Sequence, residues 1–291
     1  MGIFTEVADR VWVARSDWFD VNVSVVAGAD GLLVVDTNAS DVAARAILPD
    51  LRRLSPGPVV AAVNTHVHFD HTFGNGVFRA AGAQLICHED AAGALPGHAA
   101  DIRAQAAAEA DEDPRYAELV ATVEVVPERT FSSALTLDLG DRLVELVHPG
   151  RGHTDGDVVV RVPAADVVLT GDLVEESVAR DRTAADGVPG FGDDCYPMDW
   201  PTSLDLVLNL VGPDTVVVPG HGAPVDREFV QEQRAAIGVV AETIRDLAGR
   251  GVPPDQALQA ADWPYPREAL AAAVRRGYAH LPRAQKRLPL L

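Results

Sequence analysis

The run Asn64-Thr65-His66-Val67-His68-Phe69-Asp70-His71-Thr72-Phe73-Gly74-Asn75-Gly76 places three imidazoles and a carboxylate within six positions, directly after the apolar stretch 59–63. Imidazole and carboxylate donors suit zinc, manganese or iron, and four of them in so short a loop exceed what one closed tetrahedral site takes from it. Two metals are therefore expected rather than one. A plain polar turn calls for no such density of ligands.

The rest of the chain limits what such a site can serve. At 291 residues with 47% hydrophobic content, there is ample material for a buried core. The formal charge of −19 comes from 43 acidic against 24 basic residues, and Lys286 is the only lysine. Little is left to neutralise phosphates or anionic headgroups, so no nucleic acid and no membrane surface is expected as a partner, and a small-molecule substrate is. The N-terminal residues lack a basic segment followed by an apolar one, and no apolar run approaches a membrane span, which predicts a cytoplasmic product. Cys87 and Cys195 are not spaced as a thiolate metal pair and do not suggest a disulfide framework.

Short β-branched runs at 11–15, 21–27 and 31–36 read as a meander of strands, and Ser40-Asp41 opens a helical stretch ending before Ser55-Pro56-Gly57-Pro58. Residues 59–63 form a buried strand that delivers the His66 loop. Helix is expected from Val77 and from Glu89 to Leu95, ended by Pro96-Gly97, with two surface helices across 98–122 interrupted at Pro114. A second set of strands follows at 133–138, 142–148, 157–162 and 166–169. Residues 173–198 read as a long Gly/Asp/Pro-rich loop, a class usually functional or mobile. A helix near 201–210, a strand at 215–218 and helices at 227–249, 254–261 and 267–279 complete the chain. With no internal repeat and no long linker, this predicts a single domain over 1–291. Its core would lie at about 8–245 and a C-terminal helical cap at about 246–291. Two strand groups with flanking helices fit an αββα sandwich of two mainly antiparallel sheets.

Besides the His66 run, the chain contains Gly152-His153-Thr154-Asp155-Gly156, Leu169-Thr170-Gly171-Asp172 and Pro219-Gly220-His221-Gly222, in that order. Together these resemble the metallo-β-lactamase-fold hydrolases over roughly residues 8–245, with a ligand set like that of the glyoxalase II enzymes. The resemblance implies the αββα fold. It also implies that His66, His68 and His153 hold one metal, that Asp70, His71 and His221 hold a second, and that Asp172 bridges them. Asp36 resembles the family's aspartate that braces the ligand loop. The remaining histidines, His88, His98, His148 and His280, match no family position.

Zinc is the first expectation, two ions per chain, with manganese or iron suited to the same donors. Such a pair lowers the pKa of a bound water from 15.7 to about 7, supplying a hydroxide nucleophile, while Asp70 orients it and Asp172 holds the metals together. These features predict hydrolysis of a small acyl substrate, an ester, thioester or lactone. Acidic residues at 101, 109, 111–113, 175, 176, 193 and 194 would exclude polyanions, with Arg180 and Arg182 the cations expected to face a ligand. The glutathione carboxylates bound by glyoxalase II find no clear basic match among Arg275, Arg276 and the 283–287 stretch. Lactonases of the fold have a tyrosine soon after the bridging aspartate, where Glu175 and Glu176 stand here. The presence of Asp172 separates the chain from typical β-lactamases and would make β-lactam hydrolysis incidental. An alternative in another class is a mononuclear iron persulfide dioxygenase-type oxidoreductase of the same fold.

Overall fold

The computed structural model describes residues 3–177 and 187–281. Arg180 and Arg182, most of the middle of the 173–198 loop, and the 283–287 stretch at the end of the expected cap lie outside the described residues.

Among the described residues the strands form two sheets. The first runs in chain order through β1 (Phe4–Ala8), β2 (Val11–Arg15), β3 (Asn22–Gly28), β4 (Gly31–Val35), β5 (Val59–Val63), β6 (Gln84–His88) and β7 (Arg129–Phe131). The second holds β8 (Ala134–Asp138), β9 (Leu143–Val147), β10 (Val159–Val162), β11 (Val167–Gly171) and β12 (Val216–Pro219), with β12 beside β11 at one edge. The helices are α1 (Asp41–Leu54), α2 (Phe69–Thr72), α3 (Asn75–Ala80), α4 (Glu89–Ala108), α5 (Tyr116–Ala121), α6 (Trp200–Leu210), α7 (Arg227–Gly249), α8 (Pro254–Ala257) and α9 (Ala271–His280).

The alternation of side chains along each strand sorts the core into layers. In β4, Leu33 and Val35 join Val63, Val144, Leu146 and Val160 between the sheets. Leu32 and Val34 point the other way and meet Ala44, Ile47 and Leu51 of α1. On the far side of the second sheet, Val168 and Val217 are covered by Trp200 and Leu204 of α6, Ile237 and Ile244 of α7 and Val274 of α9. The expected αββα sandwich is thus present, and the C-terminal helices belong to its outer layer.

Two expectations are corrected. The first sheet is mixed, not mainly antiparallel: β1 to β4 pair antiparallel, whereas β4 to β5, β5 to β6 and β6 to β7 pair parallel. Helices lie between those later strands in the chain, and a crossover of that kind returns the chain in the same direction. The second sheet is antiparallel except for β11 beside β12. In addition, α4 continues through Pro96 to Ala108 instead of stopping there. Its buried stripe of Ala91, Leu95, Ala99 and Ala106 spans the proline, so packing at helical spacing outweighs the lost N–H.

Trp200 is the largest fully buried side chain on the outer face of the second sheet. Its indole Nε1–H donates to Leu173 O at 3.1 Å, and its ring lies beneath Gly152, so it supports two of the loops that carry ligands. Trp200→Ala should cost about 3–5 kcal/mol of stability, seen as a lower midpoint in chemical denaturation with the slope unchanged. A midpoint equal to wild type would show that this packing is not what holds the loops.

Candidate metal centre

The ligand candidates gather at one edge of the sandwich because each lies in the connection that follows a strand. His66 and His68 follow β5, Asp70 and His71 lie in α2, His153 lies between β9 and β10, Asp172 follows β11 and His221 follows β12. The edge is stitched together by hydrogen bonds to main-chain carbonyls. Asn22 Nδ2–H donates to Pro219 O and Gly222 O, and Val158 N–H donates to Thr65 O. Thr37 and Asn64 side chains both donate to His71 O, which fixes the turn presenting Asp70 and His71.

The structure brings all seven together. His66, His68, His153 and Asp172 form one group whose donor atoms lie within 4.8 Å of one another, and Asp70, His71 and His221 form a second. Asp172 sits between them. Its Oδ2 is 3.2 Å from His221 Nε2, 3.3 Å from His153 Nε2 and 3.6 Å from His66 Nε2, and its Oδ1 is 3.3 Å from His71 Nε2. Asp70 Oδ2 lies 3.4 Å from His221 Nε2 and 3.7 Å from His71 Nε2.

The nitrogens that face this centre are left with free lone pairs by the bonds their rings make elsewhere. His71 Nδ1–H donates to Asp36 at 2.8 Å, His221 Nδ1–H to Phe19 O at 2.7 Å, and His68 Nε2–H to Asp194 at 2.9 Å. Thr65 Oγ1–H is directed to Asp36, so His66 Nδ1–H donates to that hydroxyl oxygen at 3.1 Å. This assigns Nε2 of His66, His71 and His221, and Nδ1 of His68, as the inward donors. His66 Nε2 and Asp172 Oδ1 are buried without a hydrogen-bond partner, a costly arrangement for polar atoms unless a further group completes it. Metal ions fit that requirement, because the two buried carboxylates and five inward imidazoles are donors that suit divalent cations.

The electrostatics agree. Burial, which opposes protonation of His71 and His221, is outweighed by Asp172 and Asp70, so His71 is raised well above its usual range and His221 to about 9. Burial would also push Asp172 up, yet the surrounding histidines, His221 and His71 foremost, hold it well below the usual carboxylate range. His153, dominated by burial, falls to about 4, and His66 falls well below its ordinary value for the same reason. The centre thus couples buried carboxylates to imidazoles at the floor of the cleft, an arrangement that a bound cation stabilises.

Several contributors were not legible in sequence. His98 accepts from Phe69 N–H through Nε2, and its ring lies 5.0 Å from that of His68. Glu175, expected as a wall acid, is buried beside His153, and burial together with Asp172 raises its carboxyl well above the usual range. Asp194 reaches into the site from a distant loop, a contact that no local pattern signals. His88 and His148 stack on each other at 4.0 Å, apart from the metal group, and Cys87 and Cys195 are buried free thiols, each pushed up to about 12 by burial.

The cleft over the centre has a volume of about 490 Å³. Phe19, Phe69 and Ile102 form its apolar wall, and Asp101, Glu175, Asp193 and Asp194 its acidic one. Past Phe19, Phe69, Ile102 and Gln105 it adjoins a second depression of about 250 Å³ flanked by Glu109 and Glu112. Asp113 instead pairs with Arg115, and Glu176 accepts from Ala223 N–H, so neither lines these cavities.

Gly220 is required by this geometry. A Cβ there would lie 1.8 Å from Asp172 Oδ1. Gly220→Ala is expected to displace Asp172 and lower metal affinity by about 10–100-fold, read by chelator competition. Unchanged affinity would show that Asp172 tolerates displacement.

Residues 16–221 match the family model described as the metallo-beta-lactamase superfamily. A metallo-beta-lactamase type 2 of Bacillus cereus is 26% identical over 206 residues, covering 71% of this chain and 68% of that one. A linear primary-alkylsulfatase of Pseudomonas sp. is 26% identical over 263 residues, covering 81% of this chain, which spans only 48% of the enzyme. Among solved structures, a metallo-beta-lactamase from Pontibacter korlensis superposes with a TM-score of 0.61 at 22% identity, covering 81% of this chain and 98% of that one, which establishes shared fold. With the model covering well over half its length, the chain belongs to the metallo-beta-lactamase superfamily, whose members are mostly metallo-hydrolases.

Proposed function

We propose that the protein is a dinuclear zinc hydrolase of small acyl compounds, an ester, thioester or lactone of low negative charge. The observation that carries this reading is the position of Asp172, within 3.2–3.6 Å of nitrogens from four histidines drawn from both ligand groups. A carboxylate in that place would be shared by both ligand groups and so could hold two cations together. His66, His68 and His153 would hold one ion, and Asp70, His71 and His221 the other. Bound there, the metals supply an activated water at neutral pH and Lewis acidity toward a carbonyl oxygen.

The chain's own residues do the rest. Asp70 has one carboxylate oxygen near His221 and His71 and lines the cleft, placed to accept a hydrogen bond from the attacking water and orient it. Asp36, Phe19 O and Asp194 fix the rings of His71, His221 and His68 so that their donors stay aimed inward. Phe19 and Phe69, packed edge to face at 5.0 Å, keep water from one side of the substrate. The acidic residues of the described lining, Asp101, Asp193 and Asp194 in the first cavity and Glu109 and Glu112 in the second, favour neutral or weakly charged substrates over polyanions. The same acidic lining argues for a carbonyl substrate over the anionic ester named for the alkylsulfatase relative. A cytoplasmic location belongs to this proposal, supported by the two free buried thiols.

Two outcomes are expected. Asp172→Ala removes the central negative charge and should lower kcat by two or more orders of magnitude. A fully active variant would show that the bridge is misassigned. In a panel of carboxylic esters, thioesters, lactones, β-lactams, alkyl sulfates and phosphodiesters, the highest kcat/KM should fall among the first three. A phosphodiester or alkyl sulfate cleaved better than all of them would overturn the substrate class, and oxygen consumption on a persulfide would favour the dioxygenase alternative.

A further inference from the structure

His68 differs from its neighbours in the site. The His66, His71, His153 and His221 side chains are 0–7% exposed, but that of His68 is 17% exposed at the cleft surface, so burial alone fixes it less firmly. Its inward Nδ1 lies 2.9 Å from His153 Nε2, and its Nε2–H donates to Asp194 Oδ2 at 2.9 Å. Asp194 stands in the 187–199 stretch that leads into α6, and that stretch is held by α9. Arg276 Nε–H donates to Cys195 O at 2.9 Å and Nη2–H to Asp194 O at 3.3 Å, while its guanidinium lies 4.9 Å over the Tyr196 ring. One residue earlier, Arg275 pairs with Asp193. On its other side α9 is locked to the core: a Cβ on Gly277 would lie 2.9 Å from Ile244 of α7.

We propose that Asp194 is a positioning residue for His68, and that Arg276 of α9 holds Asp194 in place, so that the C-terminal helix is a working part of the metal centre. This rests on the dinuclear reading above. The second ligand group has its own carboxylate behind a histidine, Asp36 on His71, supplied from the end of β4 and fully interior. Asp194 supplies the equivalent to the first group from the opposite half of the chain. A carboxylate accepting from the outer N–H of a ligating imidazole fixes the ring and raises its basicity. Arg276 touches no ligand candidate, so its effect on the metals can travel only through the loop.

The test is chelator competition on the full chain, comparing wild type, Asp194→Ala, Asp194→Asn, Arg276→Ala and the Asp194→Ala/Arg276→Ala double variant, alongside the visible spectrum of the Co2+ form. Asp194→Ala should weaken one of two ions by about 10–100-fold, leave the other unchanged and shift the Co2+ bands. Asp194→Asn keeps an acceptor oxygen and should recover part of the loss. Arg276→Ala should weaken the same ion by less, and the double variant should match Asp194→Ala alone, because both act through one contact. If Arg276→Ala does not fold, Arg276→Met, which keeps the stem over Tyr196, carries the same comparison. Wild-type affinity in Asp194→Ala would overturn the brace, and additive losses in the double variant, or lower thermal stability with unchanged affinity in the Arg276 variants, would overturn the clamp. Failure of the wild-type chain to take up metal would instead overturn the dinuclear reading, and the brace with it.

Discussion

The burial of three carboxylates among imidazoles is the constraint on which the rest of this structure depends. Asp36, Asp70 and Asp172 are at most 7% exposed and lie among five imidazoles at one edge of the sandwich. Isolated buried carboxylates are expensive, and they persist only with partners that offset their desolvation. Here the histidines supply part of that compensation, and the unpartnered His66 Nε2 and Asp172 Oδ1 mark where more is needed. The fold answers by bringing strand ends from both sheets to the same edge, so that no single loop has to carry the whole set.

The supporting structure is layered outward from that edge. Asp36 accepts from Thr65 N–H through Oδ1 and from both Thr65 Oγ1–H and His71 Nδ1–H through Oδ2, and so ties the end of β4 to the loop after β5. Phe19 and Asp20 adopt left-handed backbone conformations, with φ of 61° and 55°, uncommon for such residues. The turn they form delivers Phe19 O to His221, and Asp20 is anchored by Arg15 and Ser177. Local strain of this kind is tolerated where the surroundings over-determine it, and it clusters at functional sites.

Much of this was legible in the chain. The density of the His66 run marks a ligand cluster by itself, whereas His153, Asp172 and His221 are named through the resemblance of their short elements to the family, and the fold brings all seven together. The αββα layering followed from strand runs alternating with amphipathic helices. What escaped was non-local. The parallel half of the first sheet depends on how crossovers return, and α4 passes Pro96 because a buried stripe reaches across it. Asp194 and His68 are 126 positions apart, and Glu175 reads as an ordinary wall acid until burial places it beside His153. Arg276 carries no signal at all in sequence beyond being one of two adjacent arginines on a helix.

The central claim is that one chain holds two metal ions across Asp172, and elemental analysis of the purified protein tests it most directly. Mass-spectrometric metal counting against protein concentration, after growth with zinc, manganese and iron all supplied, should return close to two ions per chain with zinc predominant. A single iron per chain, or no bound metal, would contradict the account.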